Sequence, residues 1–479
     1  MNRVEQQTVR DTVRGLWDSE ILPSLRELVT IPALSPNFDA DWAESGHLDA
    51  AIEHLKSWLA SRGIPGAELE VLRLNTEHGP RSPVLMLDVP ATPGAEDRGT
   101  VLLYGHLDKQ PPVDNWSQGL GPWTPVQRGE RLYGRGSADD GYAGYAAMAA
   151  LEALRTAGGA HARTVLLLET GEESGSPDLP AYLEHLGERL GDVGFVVCLD
   201  SGGNDYERLW LTTSLRGLAQ VGLTVRVLES GQHSGMASGI VADSFRVARV
   251  LLDRLENSTT GDIRIDSCNV EVPAERRAEA EKLADVLPGT AASSFPFAGE
   301  TEPVHDDEVE LLLNNTWRPT LSVTGASGMP TPDNAGNVLR DETTLALSLR
   351  LPPTADSAAA LAEIKHALTT DVPYHATVEL SGIEAADGWN APTTAPWLAN
   401  ALQQVSDDVF GAPSLSAGLG GSIPFMGLLG EKYPQAQFLV TGALGPDSNA
   451  HVPDEWLHVE HAGRVTEAIA HILDAHARG

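Results

Sequence analysis

The sequence predicts an α/β protein with a mostly parallel sheet, helices on both faces of that sheet, and an inserted α+β sandwich. Apolar strands alternate with helices up to about residue 212, which is typical of a parallel sheet covered on both faces. From residue 213 the order becomes strand–helix–strand–strand–helix–strand, which is typical of a small sandwich. The alternating pattern resumes after residue 385. We therefore expect one domain in two pieces, 1–212 and 386–479, and a second domain at 213–385.

The first piece begins with two helices. Apolar spacing predicts a helix over 4–30 that ends at Ile31-Pro32, and a second helix over 47–62 that ends at Gly63. The remaining elements of this piece alternate between strand and helix. They are strands near 69, 83 and 100, an Ala-rich helix over 142–159, a strand at 164–170, a helix near 179–189 and a strand at 194–200.

The inserted domain begins with a long period-two strand and contains a polar, Pro-containing stretch at 287–318. Its predicted elements are a strand over 214–230, a helix over 239–257, strands at 319–325 and 342–350, a helix over 355–370 and a strand at 375–381. The last piece adds a helix over 396–409, a strand at 436–442 and a helix over 461–476.

The composition excludes several classes of protein and of binding partner. The 479 residues include 42% hydrophobic and 21% charged residues, which suffices for a sizeable core and argues against disorder. A net charge of −34 repels phosphate backbones and anionic lipid, so we expect neither nucleic acid nor membrane as a partner. Two cysteines cannot form a disulfide framework, and neither a signal segment nor a membrane-spanning run is evident. We expect a cytoplasmic protein.

Histidines and carboxylates follow several of the predicted strands. His106 and Asp108 end one strand, and a carboxylate this close can hold an imidazole in one tautomer. Asp139 and Asp140 stand at the mouth of the Ala-rich helix, where two neighbouring carboxylates need a cation, a helix N-terminus or solvent. Taken singly, these residues are explained as a loop histidine and an N-cap pair.

The later strands end in the same way. Glu172 and Glu173 follow the strand at 164–170, and in extended chain their side chains would point in opposite directions, so that one binds metal while the other faces a substrate. Asp200 ends the next strand, and His451 lies in a loop after the strand at 436–442. Their simpler explanations are a solvated acidic pair, a turn residue and a loop histidine.

Considered together, these residues favour a metal site. Ligand sites of open α/β sheets form beyond the carboxyl ends of the strands. Imidazole and carboxylate suit zinc, manganese or cobalt, and a pair of such ions activates a bridging water for hydrolysis, with a carboxylate as base. The sequence lacks the G-x-G-x-x-G, phosphate-loop, G-x-S-x-G and H-E-x-x-H motifs of the nucleotide-binding, serine-hydrolase and single-zinc alternatives.

Five ordered motifs, YGHLD, GRGSADD, ETGEESGSP, VCLDSGG and AHVPDE, resemble those of the di-metal amidohydrolase family of carnosinases, cytosolic nonspecific dipeptidases, aminoacylases and glutamate carboxypeptidases. The resemblance covers nearly the whole chain and is strongest to the dipeptidase branch. It implies a catalytic domain at 1–212 and 386–479, an inserted lid and dimerisation domain, and a homodimer. It departs from many members at Gly141-Tyr142, where they have Lys-Gly.

The resemblance also implies a role for each residue. His106 and Asp200 would bind one metal, Glu173 and His451 the other, and Asp139 would bridge both and be joined to Asp140 by a cis peptide. Asp108 would orient His106, and Glu172 would act as general base and then acid. In the inserted domain, His233 would reach across the dimer to stabilise the oxyanion. The residues that would contact the substrate are Arg350, Asn337, Gly421 and Ser422. The alternatives are a surface histidine for His233, a structural salt bridge for Arg350, a turn residue for Asn337 and a flexible loop for Gly421 and Ser422.

These observations predict metal-dependent hydrolysis of dipeptides or short peptides by a water that bridges two divalent ions, zinc being expected and manganese or cobalt being alternatives. An N-acyl amino acid deacylase or a carboxypeptidase would use the same chemistry. A non-catalytic binding protein on this scaffold is a further alternative, but it would need a broken set of ligands.

Overall fold

The computed structural model describes residues 3–77, 79–293, 295–421 and 423–479. The chain divides into two compact units. The first contains Met1–Thr212, Ala391–Ala417 and Leu428–Gly479, and the second contains Thr213–Asn390 and Gly418–Gly427. The domain boundaries at 213 and 386 stay predictions; the compact units differ from them in assigning 386–390 and 418–427 to the second unit.

The strands, in chain order, are β1 (Glu68–Leu72), β2 (Asn75–Thr76), β3 (Gly79–Pro80), β4 (Val84–Val89), β5 (Thr100–His106), β6 (Val126–Arg128), β7 (Arg131–Tyr133), β8 (Arg163–Glu169), β9 (Val193–Cys198), β10 (Trp210–Leu215), β11 (Gly217–Arg226), β12 (Gln232–His233), β13 (Thr320–Ser327), β14 (Val338–Leu339), β15 (Glu342–Leu351), β16 (Thr377–Ala386), β17 (Trp389–Asn390), β18 (Leu415–Leu419), β19 (Gln437–Val440) and β20 (Trp456–His458).

The α-helices are α1 (Arg3–Leu16), α2 (Leu22–Val29), α3 (Trp42–Ser45), α4 (His47–Ser61), α5 (Ala143–Thr156), α6 (Leu179–His185), α7 (Gly187–Leu190), α8 (Ser234–Ala237), α9 (Ser244–Leu255), α10 (Ala274–Val286), α11 (Thr290–Ser293), α12 (Glu308–Thr316), α13 (Ser357–Thr369), α14 (Pro396–Val405), α15 (Pro424–Lys432) and α16 (Val459–Arg478). A π-helical turn, Trp17–Ile21, joins α1 to α2. Along the described stretches of chain, no helix is both long and apolar enough to cross a bilayer.

The first unit is built around a six-stranded sheet in the order β1-β4-β8-β5-β9-β19. Strands β8, β5, β9 and β19 are parallel to one another, whereas β4 pairs antiparallel with β8 and with β1. Val101 and Leu103 of β5 belong to the core that includes α5, and the alternate residues Leu102 and Tyr104 are buried as well. Because side chains alternate between the faces of a strand, both faces of the sheet are covered. The predicted mostly parallel, doubly covered sheet is confirmed.

The second unit contains a four-stranded antiparallel sheet in the order β13-β15-β11-β16. Alternate residues of β11 are buried and contribute to a core shared with α9 and α13, which explains the period-two pattern of its sequence. The predicted α+β sandwich is confirmed.

Several predicted elements differ in detail. The single strand predicted over 214–230 is not continuous. Arg216 belongs to no strand and separates β10 from β11. The helix predicted near 179–189 is the two short helices α6 and α7. Helix α10 was not predicted, and α12 lies inside the stretch at 287–318 that was predicted only as polar and Pro-containing. Helix α10 is strongly polar, and the two helices pack around a small cluster of Ala280, Leu313 and Trp317.

Candidate metal centre

The carboxyl ends of neighbouring parallel strands carry most of the candidate site. His106 is the last residue of β5, which lies between β8 and β9 in the sheet. Glu172 and Glu173 follow β8, and Asp200 follows β9 by two residues. Parallel strands end at the same edge of a sheet, so these side chains meet there although up to 94 positions, 106 to 200, separate them in sequence.

His106, Asp139 and Asp200 form the first group of candidate ligands. One ligand atom from each lies within 4.8 Å of the others. His106 Nε2 is 3.2 Å from Asp139 Oδ1 and 3.7 Å from Asp200 Oδ1. All three residues are buried. The distances allow one cation to be bound by an imidazole and two carboxylates.

Asp139, Glu173 and His451 form the second group, with the same 4.8 Å limit between their ligand atoms. His451 Nε2 is 2.9 Å from Asp139 Oδ2 and 3.3 Å from Glu173 Oε2. His451 is the most exposed of the three. It comes from a loop after β19, in which its backbone φ is +66°.

Asp139 belongs to both groups and faces a different histidine with each of its carboxylate oxygens. It precedes α5 and is joined to Asp140 by a cis peptide bond, as the family resemblance implies. The Asp140 side chain accepts a hydrogen bond from the backbone nitrogen of His106 at 3.3 Å, and its other oxygen is buried without a partner. A shared carboxylate between two imidazole-containing groups suits a pair of divalent cations.

The charges and pKa shifts of the site residues also favour the binding of cations. Burial raises the pKa of Glu173 to about 8, with Asp139 adding to the shift, and burial likewise raises the pKa of Asp200. Burial also raises the pKa of Asp139, but hydrogen bonds from His106 and His451 outweigh it and hold this pKa well below its usual range. The hydrogen bond to Asp139 raises the pKa of His451 to about 9 against the opposing effect of burial. Buried carboxylates outnumber imidazoles here, and this excess of acidic groups favours the binding of cations.

Asp108 connects the two groups through hydrogen bonds. His106 Nδ1 lies 3.0 Å from the backbone oxygen of Asp108 and 3.4 Å from its carboxylate. The two carboxylate oxygens accept hydrogen bonds from the backbone nitrogens of Glu172 and Glu173, at 3.2 and 3.0 Å. The extended conformation expected for Glu172 and Glu173 was wrong: Glu172–Ser174 forms a 3-10 turn, which places both nitrogens against Asp108. Burial and the Asp200 carboxylate raise the pKa of Glu172 well above its ordinary value.

Sequence reasoning missed two polar residues that support these groups. The fully buried Glu455 accepts hydrogen bonds from the backbone nitrogens of Gly136, Ala138 and Asp139, at 2.9, 3.2 and 3.3 Å. Gln110 donates from Nε2 to Glu173 Oε2 at 2.6 Å. The sequence signals were that Glu455 is the last residue of the AHVPDE motif, four residues after His451, and that Gln110 stands two residues after Asp108.

The residues predicted to contact the substrate belong to the second unit. His233 and Asn337 are exposed neighbours: β12 pairs with β14, and the backbone nitrogen of Ser234 donates to Asn337 O at 2.9 Å. His233 Nδ1 accepts a hydrogen bond from the backbone nitrogen of Gly235 at 3.1 Å. Arg350 lies on β15, opposite Leu218 and Thr320.

Gly421 is hydrogen-bonded to Arg216, the residue between β10 and β11. Its carbonyl oxygen accepts a hydrogen bond from the backbone nitrogen of Arg216 at 3.1 Å. The Arg216 guanidinium donates to Gly420 O at 2.9 Å, and burial followed by the nearby Arg350 charge lowers the pKa of Arg216 to about 10. Ser422, also predicted to bind substrate, lies outside the described residues.

The fold and this cluster of ligands define a metallohydrolase. A family model described as Peptidase family M20/M25/M40 matches residues 102–475, and the chain belongs to this family. The predicted family and the predicted enzyme class, a metal-dependent peptidase, are therefore confirmed, and the family implies divalent metal ions.

Curated relatives and solved structures agree with this assignment. A cysteinylglycine-S-conjugate dipeptidase from Corynebacterium striatum is 28% identical over 372 residues, covering 75% of this chain and 77% of the relative. A Beta-Ala-His dipeptidase from Homo sapiens is 24% identical over 343 residues, covering 64% of this chain and 66% of the relative. The crystal structure of human carnosine dipeptidase 1 has a TM-score of 0.76 at 20% identity and covers 99% of both chains, which shows the shared fold.

Proposed function

We propose that this peptidase hydrolyses the peptide bond of dipeptides or short peptides with two divalent metal ions per subunit, zinc being the expected metal and manganese or cobalt the alternatives. The observation that carries the proposal is the pair of ligand groups that share Asp139. Curated relatives of the chain are dipeptidases, which supports small peptides as the substrate class.

Five side chains would hold the ions. His106 and Asp200 would hold one ion, Glu173 and His451 would hold the other, and Asp139 would contribute to both sites. When bound, the ions supply an activated water and polarise the scissile carbonyl. The support for this division is that each oxygen of Asp139 faces a different histidine.

Glu172 takes the proton of the attacking water and later donates it to the leaving amine. A base of this kind works best when its pKa lies close to the operating pH. Burial and the Asp200 charge shift the pKa of Glu172 upwards from the ordinary range of a carboxyl, which supports this role. Asp108 holds His106 in one orientation.

The second unit provides substrate recognition and a homodimer contact. Arg350, Asn337, Gly421 and Ser422 bind the substrate, and His233 stabilises the oxyanion of a partner subunit's site. The exposure of apolar residues beside His233, with Met236 75% and Ile240 85% accessible, supports a contact between subunits. We also propose a cytoplasmic location, which the two buried, unpaired cysteines support.

The test is a chelated and reconstituted enzyme assayed on a panel of dipeptides. We expect no cleavage after chelation and recovery with zinc, manganese or cobalt. Glu172→Gln should retain the metal content of the wild type and lose about 10²- to 10⁴-fold in kcat. Glu184→Gln, which changes an exposed glutamate of α6, is the matched control and should keep full activity.

Two outcomes would contradict the proposal. An unchanged kcat for Glu172→Gln would remove the base assignment, and no metal-dependent cleavage of any dipeptide would remove the substrate class. Cleavage of N-acyl amino acids, with no requirement for a free amino terminus, would favour the deacylase or carboxypeptidase alternative.

A further inference from the structure

The side chain of Lys109 is fully buried in the first unit, and its ammonium group contacts the end of helix α2. Lys109 Nζ donates to the carbonyl oxygens of Leu28 at 2.8 Å and Ile31 at 2.7 Å, and lies 3.4 Å from that of Val29. It also lies 5.5 Å from the centre of the Trp123 ring. The last carbonyls of a helix have no partner within the helix and carry its negative end, so an ammonium group stabilises them.

The two sequence neighbours of Lys109 both contact the candidate metal centre. Asp108 lies against His106 and accepts the backbone hydrogen bonds of Glu172 and Glu173. Gln110 donates to the Glu173 carboxylate. A shift of the backbone at residue 109 would therefore move groups that contact ligands from both metal-binding groups.

The alkyl chain of Lys109 packs against the segment that leads to Asp139. Gly136 has a backbone φ of +75°, and a Cβ placed there would lie 2.7 Å from Lys109 Cε. The glycine thus permits the close approach of the lysine chain. Gly136 precedes Asp139 by three residues and donates its backbone N–H to Glu455.

The backbone of Lys109 makes a third connection. Its carbonyl oxygen accepts a hydrogen bond from the backbone nitrogen of Ser35 at 3.0 Å. Ser35 Oγ lies 2.6 Å from Ser174 Oγ, in the 3-10 turn that begins with Glu172. Residue 109 therefore contacts, directly or through one serine pair, the three segments that carry His106, Asp139 and Glu173.

We propose that Lys109 is a positioning residue of the metal centre: by anchoring the Asp108–Gln110 segment to the carboxyl end of α2, it sets the orientation of ligands in both groups. The inference rests on the proposed metal-dependent function. Burial lowers the pKa of Lys109 to about 7 against the attraction of Glu455, so holding a buried ammonium here has a cost that the two carbonyl hydrogen bonds offset.

The test measures zinc binding by the metal-free protein, with a chromogenic chelator as competitor. Lys109→Met keeps an unbranched side chain as far as Cε and removes the ammonium group with its donors. We expect a 10- to 100-fold weaker zinc affinity, about the loss caused by removing a partner that orients a ligand. We also expect a changed visible absorption of the cobalt-substituted protein, which reports coordination geometry independently of stability.

Two control variants separate positioning from general destabilisation. Leu25→Ala opens a cavity under the same helix, because Leu25 is completely buried, and should lower the unfolding temperature without changing zinc affinity or the cobalt spectrum. Lys432→Met removes another ammonium–carbonyl hydrogen bond, to Leu183 O, outside the candidate centre and should also leave both unchanged.

The outcomes are distinguishable. Wild-type zinc affinity in Lys109→Met, or a loss no greater than in Leu25→Ala, would overturn the positioning role. Failure of the wild-type protein to bind zinc, cobalt or manganese would instead overturn the proposed function. If Lys109→Met does not fold, Lys109→Gln, which keeps amide donors on a shorter side chain, should show the same weakening, and wild-type affinity there would also refute the inference.

Discussion

Replacing Glu455 tests how the segment that carries Asp139 is held in place. The Glu455 carboxylate is fully buried and uses its two oxygens differently. Oε1 accepts the hydrogen bonds from the backbone nitrogens of Gly136, Ala138 and Asp139. Oε2 lies 2.7 Å from Nη1 of Arg135, which is also buried. Glu455→Gln and Glu455→Ala therefore remove different parts of this arrangement.

The contacts of Glu455 determine how far each substitution should lower the free energy of unfolding. Glu455→Gln keeps an oxygen for the three backbone donors but places an amide N–H₂ against Arg135. Breaking a buried ion pair in this way costs roughly 3–5 kcal/mol, and we expect about 3 because Arg135 keeps hydrogen bonds to Pro111 O and Val452 O. Glu455→Ala also leaves three backbone donors without an acceptor, at about 1 kcal/mol each, so we expect a total near 6 kcal/mol.

The assay is urea unfolding of the metal-free protein, followed by zinc titration of each variant that folds. Glu53→Gln is the control, because Glu53 forms an exposed ion pair with Lys56 and should cost less than about 1 kcal/mol. We expect both Glu455 variants to bind zinc more weakly, since the backbone of Asp139 loses its support. A cost for Glu455→Gln no larger than that for Glu53→Gln would refute the reasoning.

Three further predictions concern the cations, a buried carboxyl and the substrate. Chelation should lower the free energy of unfolding by about 3 kcal/mol when the cation had been present at 100 times its Kd, and Asp139→Asn should abolish most of this response. Burial raises the pKa of Glu169 from 4.5 to about 7, so the folded metal-free protein should lose stability as the pH rises through this range, and Glu169→Gln should flatten that loss in urea unfolding. Arg350→Ala should raise KM more than about 10-fold for dipeptides with a free carboxylate but not for their amides, since a guanidinium binds a carboxylate with paired hydrogen bonds; equal effects would contradict the assignment.

The candidate centre could be predicted from sequence to the extent that its residues follow recognisable strands. His106 and Asp200 each come directly after a strongly apolar run, so their side of the sheet follows from the parallel arrangement. The Glu172–Glu173 pair was predicted after the correct strand but in the wrong conformation, because the backbone nitrogens of its 3-10 turn bind the carboxylate of Asp108, which lies just beyond the end of β5.

The supporting residues could not be predicted in the same way. Lys109, Gln110 and Glu455 are polar residues in Gly- and Pro-containing segments, which local patterns indicate as exposed loops. Lys109 and Glu455 are nevertheless fully buried, because acceptors and donors from distant parts of the chain surround them. Helix α10 was not predicted because its sequence, AERRAEAEKLADV, has too few large apolar residues to show the 3.6-residue spacing of an amphipathic helix.

The sequence by itself determined which residue types stand at the strand ends, the alternation that produces the sheet, and the family to which the chain belongs. These properties are local, since they depend on the order of apolar runs and on short motifs. Only the tertiary structure decided which oxygen of Asp139 faces His106 and which faces His451, and which polar side chains become buried around them. Those features depend on strand register and on contacts between residues more than 300 positions apart, such as Asp139 and His451, which no local pattern specifies.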